Sequence, residues 1–300
     1  MMYDCAIVGG GPAALNAALV LGRARRSVAL FDNNQPRNGI THASHGFITR
    51  DGIKPDDFRR IAYEEVLGYP SVQHWQVEVT DIRKKEKGFE ILTQSGAYTQ
   101  ARKVILATGL KEVFPGIEGF HKFYGKSLFN CPYCDAWEMR DQPLAVISED
   151  PGIFHMTKLL YNWSKDLIVC TNGNALLTVE EKNLLGSKGI RIIETPIAAF
   201  YGQNGLLEQV HFTDDTNIER SGGFITPKWF PKADFVEQLG YDITDYGGIV
   251  TDTGGRSSVT GLYAAGDAAY VRPSQVIYAA ASGSKAAIAV NTDLVEEEFC

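Results

Sequence analysis

The run Gly9-Gly10-Gly11-Pro12-Ala13-Ala14, set between two apolar segments near the N-terminus, constrains the fold more than any other feature of the chain. Tyr3 to Val8 before it is apolar and of strand length, and Ala13 to Gly22 after it is strongly helical in composition. Ser27 to Phe31 then reads as a second buried strand that ends at Asp32. Strand, glycine turn, helix and strand form the opening half of a doubly wound parallel sheet. Gly9-x-Gly11-x-x-Ala14 also meets the close-turn rule for a dinucleotide. Gly9 permits the tight turn, Gly11 lets backbone approach a pyrophosphate, and Ala14 lets the helix pack closely on the sheet. The phosphates would lie at the positive end of the helix. Pro12 suits the first helical turn, where its missing N–H costs nothing. Asp32, with Asn33 beside it, falls within reach of adenosine ribose hydroxyls.

Cys131-Pro132-Tyr133-Cys134-Asp135 places two thiols at disulfide spacing in the middle of the 300 residues. One can attack while the other resolves, provided a helix start or a nearby base favours the thiolate. Asp135 is suited to cap a helix or shuttle a proton. A zinc site would need two more ligands, and there is no second CxxC. Cys5 and Cys170 lie in apolar strand patterns and read as small buried hydrophobes, and Cys300 as part of a frayed tail. His42-Ala43-Ser44-His45 lacks a third ligand at recognisable spacing, so no metal is expected. It reads as a loop near the first nucleotide site, with His45 able to tune cofactor or thiolate charge. Arg37-Asn38 in the same loop either binds pyrophosphate or solvates a turn.

Phe58 to Leu67 reads as a helix. Val72 to Ile82 and Phe89 to Thr93 read as strands around a polar hairpin tip, Lys84 to Gly88, and Lys103 to Ala107 as another strand. Phe114 to Gly119 marks a boundary. Strand and helix patterns then resume: strands at Leu144 to Ser148, Leu167 to Thr171 and Ile190 to Glu194, helices at Ile153 to Trp163 and Leu176 to Leu185. Antiparallel-looking pieces follow at Leu206 to Thr213 and Ile218 to Thr226, and a small-residue helix runs from about Gln275 to Val295. The simplest arrangement is a nucleotide domain interrupted by a second domain of similar plan. A net charge of −7 disfavours nucleic acid or an anionic membrane as partner. No apolar run reaches the roughly 18 residues of a membrane span. The absence of a signal-peptide pattern and the few scattered cysteines make the cytoplasm the expected location.

The GGGPAA turn, Ala107-Thr108-Gly109, the CPYCD segment and Gly261-Leu262-Tyr263-Ala264-Ala265-Gly266-Asp267 resemble the low-molecular-weight thioredoxin reductase family, in its order and over nearly the whole chain. That resemblance implies an α/β protein of two Rossmann-like, doubly wound, three-layer domains, usually a homodimer. The FAD domain would be discontinuous, with residues 1–114 and 244–300 flanking an inserted NAD(P)H-binding-like domain, 115–243, that carries the CxxC. The implied FAD contacts are Gly9, Gly11, Pro12, Ala13, Asp32, Asn33, Arg37, Asn38, His45, Ala107, Thr108 and Gly109. Gly266 and Asp267 would hold the ribityl-phosphate region, with Gln275 and Val276 near the isoalloxazine carbonyl. Cys134 would face the flavin, Cys131 would exchange with an external disulfide, and Asp135 would act as acid/base.

One segment departs from the family pattern. Where a second glycine fingerprint should hold nicotinamide phosphates, the chain reads Val146-Ile147-Ser148-Glu149-Asp150-Pro151-Gly152-Ile153. Two acids there oppose phosphate binding. The turn after the next strand, Thr171-Asn172-Gly173-Asn174, carries no arginine for a 2′-phosphate. The inserted domain is therefore expected to keep its fold and to lose ordinary NADPH binding. Two reactions remain open. In one, a protein donor such as ferredoxin feeds the flavin, and the cysteine pair reduces a thioredoxin-like disulfide. In the other, a small dithiol reduces the pair and oxygen is the final acceptor. The loop from Arg37 to Gly46 is similar to the branch of the family that closes disulfides in gliotoxin-like and holomycin-like metabolites. A nonenzymatic flavin-binding interaction protein is the third class, against which the intact CPYCD argues.

Overall fold

The computed structural model describes residues 2–232, 234–270 and 274–300. The chain forms two compact units: Met1–Gly39, Gly46–Lys111 and Trp229–Cys300 make one, and Ile40–His45 with Glu112–Lys228 make the other.

The first unit opens with β1 (Met2–Val8), α1 (Pro12–Arg23), β2 (Val28–Phe31), α2 (Pro55–Leu67) and β3 (Val72–Trp75), followed by β4 (Val79–Lys85), β5 (Gly88–Thr93) and β6 (Tyr98–Leu106). Every residue of β2 is buried, as expected of a parallel strand covered on both faces. In β1, Cys5 and Ile7 join the core under α1, while Ala6 and Val8 join the core on the opposite face. The chain leaves on β7 (Leu110–Val113).

The second unit contains α3 (Phe120–Phe123), β8 (Leu128–Phe129), α4 (Pro132–Asp135), β9 (Leu144–Ile147), α5 (Ile153–Leu160), β10 (Leu167–Cys170), α6 (Val179–Ser187) and β11 (Arg191–Ile193). Strands β12 (Ile197–Gln203), β13 (Leu206–Phe212) and β14 (Asn217–Glu219) form a separate antiparallel sheet. Strand β15 (Gly222–Ile225) enters the main sheet, whose order is β11-β10-β9-β15-β8. The chain returns on β16 (Lys228–Pro231) and ends with β17 (Leu262–Ala264) and α7 (Val276–Phe299). The first sheet has the order β3-β2-β1-β6-β5-β4. β17 lies parallel to Val104–Leu106, whereas the earlier half of β6 pairs antiparallel with β5. Among the described residues, no helix is long and apolar enough to cross a membrane.

Several elements differ from expectation. The return crossing falls at 228–229 rather than 243–244, because Val236 is fully buried in the first unit's core with Phe235, Leu239 and Tyr241 packed around it. Residues 40–45 group with the second unit. There, Gly125 at φ +80° comes so close to Ile40 that a Cβ would lie 2.7 Å from its carbonyl oxygen. The expected strand 72–82 is two strands, and the expected strand 218–226 divides between two sheets. Gly222 and Gly223 allow that second division, since a Cβ at Gly222 would overlap the Ser127 carbonyl just before β8 and one at Gly223 the Ala145 carbonyl of β9. α5 stops at Leu160, short of the expected Trp163, and Thr178 starts α6 with a capping box to Glu181. Helix α7 continues to Phe299, so the tail is helical. Its last turn is held by ion pairs of Glu298 to Arg26 at 2.8 Å and of Glu297 to Arg102 at 3.1 Å.

The packing of α1 against α7 is a backbone-to-backbone approach. A Cβ at Gly283 would overlap the Ala13 carbonyl. Gly283→Ala is expected to destabilise the protein by about 1–3 kcal/mol through overpacking. The helix-propensity gain of about 1 kcal/mol does not compensate, because backbone cannot swing aside as a side chain can. Urea denaturation midpoints compared at constant m-value would measure it.

Candidate active site

The glycine turn after β1 is closed on two sides and open on the third. Gly9 has φ +128°, and a Cβ there would overlap the Ala107 carbonyl, so Ala107-Thr108-Gly109 lies directly against the turn. A Cβ at Gly10 would overlap the Asp32 carboxylate. Gly11 has nothing within 4 Å of its Cβ position. Helix α1 starts next to that space with Pro12 in its first turn and no side-chain cap, so its first N–H groups lack helical acceptors. The Thr108 hydroxyl is buried and has no hydrogen-bond partner among the described residues. Open space above an uncapped helix start is what a pyrophosphate requires, and these residues fit a bound dinucleotide.

Asp32 is 6% exposed and densely paired. Its Oδ2 accepts from Arg59 Nη2 at 2.6 Å and from the Tyr63 hydroxyl at 2.7 Å, and its Oδ1 from the Asn34 N–H at 2.9 Å. A carboxylate with about four acceptor sites retains room for ribose hydroxyls. Burial, followed by the Asp32 contact, pushes the Tyr63 phenol up. Arg59 and Tyr63 were not singled out from sequence. Their spacing of four on an expected helix was a usable signal, but nothing in sequence aimed that face at Asp32. Asn33 accepts from the Gln35 N–H at 3.2 Å.

Arg37 makes contacts that neither reading of its loop anticipates. Its Nη2 donates to Asp267 Oδ2 at 2.8 Å and also to the Ser274 hydroxyl, which itself donates to Asp267 at 2.9 Å. The guanidinium lies 5.1 Å from the centre of the Trp229 ring. Burial raises the Asp267 pKa, while Arg37 and Ser274 oppose that rise. The loop arginine is therefore tied to the late Gly-Asp motif. Asn38 follows in a short 3-10 turn, Arg37–Ile40. Gly266, at φ +66°, would bring a Cβ to 2.9 Å from that of Ala13, so the two fingerprints meet at the start of α1. Gln275 caps α7 and Val276 is its first residue.

The redox segment lies in the second unit. Cys131 and Cys134 form a disulfide with their Cα atoms 5.3 Å apart. The one-turn helix α4 holds them, its N–H groups of Cys134 and Asp135 donating to the Cys131 carbonyl at 3.1 and 3.2 Å. Both sulfurs belong to half-buried residues, while Tyr133 and Trp137 are exposed. Tyr133 packs edge-on to Trp163, and Arg140 lies over Trp137. Burial pushes the Asp135 carboxyl up to about 7; Glu138 adds to the rise and His45 opposes it. His45 stands 3.6 Å from Glu138, so the structure places it with the redox segment. The other cysteines are free: Cys5 and Cys170 are buried, which raises both thiols, and Cys300 is exposed. Among the described residues, no cluster of three or more His, Cys, Asp or Glu could hold a metal ion.

The turn after β9 is filled by the chain's own carboxylates. Asp150 Oδ1 accepts from the Gly152 N–H at 2.7 Å, and the Ser148 hydroxyl accepts from the Asp150 N–H at 3.0 Å. Glu149 accepts from Asn172 Nδ2 at 2.7 Å and lies 3.6 Å from Lys228 Nζ. Asn172 in turn accepts from the Ile197 N–H at 2.8 Å, which joins this turn to the one after β10.

Two outcomes follow from these pairings. Asp135 binds its proton more tightly in the folded state than in the unfolded state, where the reference is near 4. Between about pH 4 and 7 the folded state thus holds the extra proton, and stability from this group falls as pH rises through that window. Asp135→Asn should therefore gain thermal stability over wild type progressively up to about pH 7 and level off above it, as read from melting temperatures across pH. Arg37→Ala, which strips Asp267 of its charged partner, should lower unfolding free energy by about 2 kcal/mol in urea titrations.

Comparison with known proteins agrees with this geometry. Residues 3–148 and 172–283 match the pyridine nucleotide-disulphide oxidoreductase family. The chain is 32% identical to a probable thioredoxin reductase of Arthroderma benhamiae, over 98% of this chain and 81% of that protein. It is 30% identical to thioredoxin reductase sirT of Leptosphaeria maculans, over 97% and 94% of the two chains. The crystal structure of a putative thioredoxin reductase TrxB from Bacillus anthracis superposes with a TM-score of 0.95 at 49% identity, covering 99% of this chain and 100% of that one. The structure of HlmI gives 0.93 at 34% identity, covering 99% and 94%. With its two Rossmann-like domains and its redox-active Cys131–Cys134 disulfide, this chain belongs to the pyridine nucleotide-disulphide oxidoreductase family, as a FAD-dependent thiol–disulfide oxidoreductase of the thioredoxin-reductase type.

Proposed function

We propose that this protein passes electrons between FAD and an external thiol or disulfide through Cys131–Cys134, without taking them from NADPH bound in the ordinary way in the inserted domain. One observation carries this reading: the Asp150 carboxylate accepts the Gly152 N–H at 2.7 Å, in the turn where a nicotinamide phosphate would need that donor. A phosphate would have to displace one fixed negative charge and approach a second, Glu149, that Asn172 holds in place.

FAD supplies the two-electron chemistry when bound. The residues assigned to hold it are Gly9, Gly11, Pro12, Ala13, Asp32, Ala107, Thr108, Gly109, Gly266, Asp267, Gln275 and Val276, with Arg37 fixing Asp267. In the reducing direction, the Cys131 thiolate attacks an external disulfide and releases one substrate thiol. Cys134 then attacks the Cys131 sulfur, which releases the second thiol and re-forms the disulfide. Two electrons and two protons reach the substrate, and Asp135, titrating near neutrality, handles a proton. The relatives' names favour a thioredoxin-like protein as the oxidised partner. A reduced ferredoxin-type protein as donor and a homodimer as the working unit complete the proposal. The reverse direction, in which a small dithiol reduces the pair and oxygen takes the electrons, is favoured by the same closed turn. A dithiol substrate brings its own electrons.

Anaerobic titration of the FAD-loaded protein separates these cases. Stoichiometric NADPH should leave the visible flavin band intact, and rapid bleaching would overturn the proposal. Bleaching by a small dithiol with peroxide formed on admitting air would establish oxidation. Bleaching only by reduced ferredoxin, coupled to thioredoxin turnover, would establish reduction. Cys134→Ser should abolish the thiolate–flavin absorbance of the reduced protein, whereas Cys131→Ser should retain it.

A further inference from the structure

We propose that His45 and Glu138 form, with Asp135, a proton path between the Cys131–Cys134 pair and solvent, which makes His45 a positioning residue of the redox pair. The inference rests on the reading of Asp135 as the pair's acid/base. A dithiol carries two protons that a disulfide lacks, so every cycle moves protons past a half-buried carboxyl. Asp135 follows Cys134 directly, and Glu138 lies three residues further on with its side chain 44% exposed. His45, with its side chain 22% exposed, approaches from a loop far upstream, and its Nε2 stands 3.6 Å from Glu138 Oε1. That distance is within ion-pair range and short enough for one bridging water. The loop is held by the close approach of Ile40 to Gly125, at a φ of +80° that favours glycine.

The charges acting on Asp135 are Glu138 from its own segment and His45 from the loop, and they act in opposite senses. Burial has already brought the carboxyl to about 7, where it can both give and take a proton near neutral pH. The pair of flanking charges thus sets how readily Asp135 releases its proton and offers that proton an exit to water.

Carbon-13 NMR of the oxidised, FAD-loaded protein labelled at aspartate carboxyls tests the assignment, with the Asp135 signal identified by its loss in Asp135→Asn. The wild-type midpoint should lie near 7. His45→Gln should raise it and Glu138→Gln should lower it, each by about half a unit or more. The pH dependence of flavin reduction by dithiol should move with them. His45→Asn serves as the second variant if His45→Gln fails to fold. Midpoints that stay at the wild-type value in folded His45 and Glu138 variants would overturn the proton path while leaving Asp135 as acid/base. A wild-type midpoint near 4 would instead overturn the reading of Asp135 itself.

Discussion

The first unit depends on how closely backbone approaches backbone at the start of α1. Three positions there have no room for a Cβ or barely admit one: Gly9 against Ala107, Gly283 against Ala13, and Gly266 against Ala13. Each contact joins segments far apart in sequence. Together they bring the first turn, the end of β6 and the late Gly-Asp motif to one point, leaving the space at Gly11 open. Larger side chains would push these backbones apart and scatter the N–H groups that must converge on a pyrophosphate. The small residues of α1 are therefore a packing requirement first and a binding feature as its consequence.

Carboxylates act differently in different surroundings of this molecule. Asp32 and Asp267 lie beside the glycine turn, and each has an arginine, Arg59 or Arg37, to offset its burial. Asp135 has no arginine among the charges that act on it, and its proton affinity rises to about 7. Asp150 accepts the Gly152 backbone N–H. Desolvation raises both Asp135 and Asp267, and at Asp267 the paired Arg37 opposes that rise.

Much of the fold was legible because short local patterns carry it. The apolar runs of β1, β2 and β9, the glycine turn and the CxxC each depend on residues a few positions apart. Boundaries that depend on distant partners were not legible. The expected strand 218–226 splits because Gly222 and Gly223 alone can fit between two other strands, and those strands are remote in sequence. Residues 229–243 read as part of the insertion until Val236 is seen buried in the other core. At the candidate site, Arg59 and Tyr63 were missed for the same reason, since an ordinary amphipathic helix gives no sign of which carboxylate its polar face will meet.

By itself, the sequence determined the family, the flavin fold and the redox pair, because each is written in contiguous motifs whose chemistry is local. It also marked Glu149 and Asp150 as misplaced charges for a phosphate site. What those charges meet depends on the folded chain, which sets Asp150 on the Gly152 N–H and Glu149 on Asn172. Tertiary structure likewise ties Arg37 to Asp267 and brings His45 to Glu138. Interactions between exposed charges are screened beyond about 10 Å in space, whatever the separation in sequence. Which acid meets which base is therefore settled only when the chain has folded.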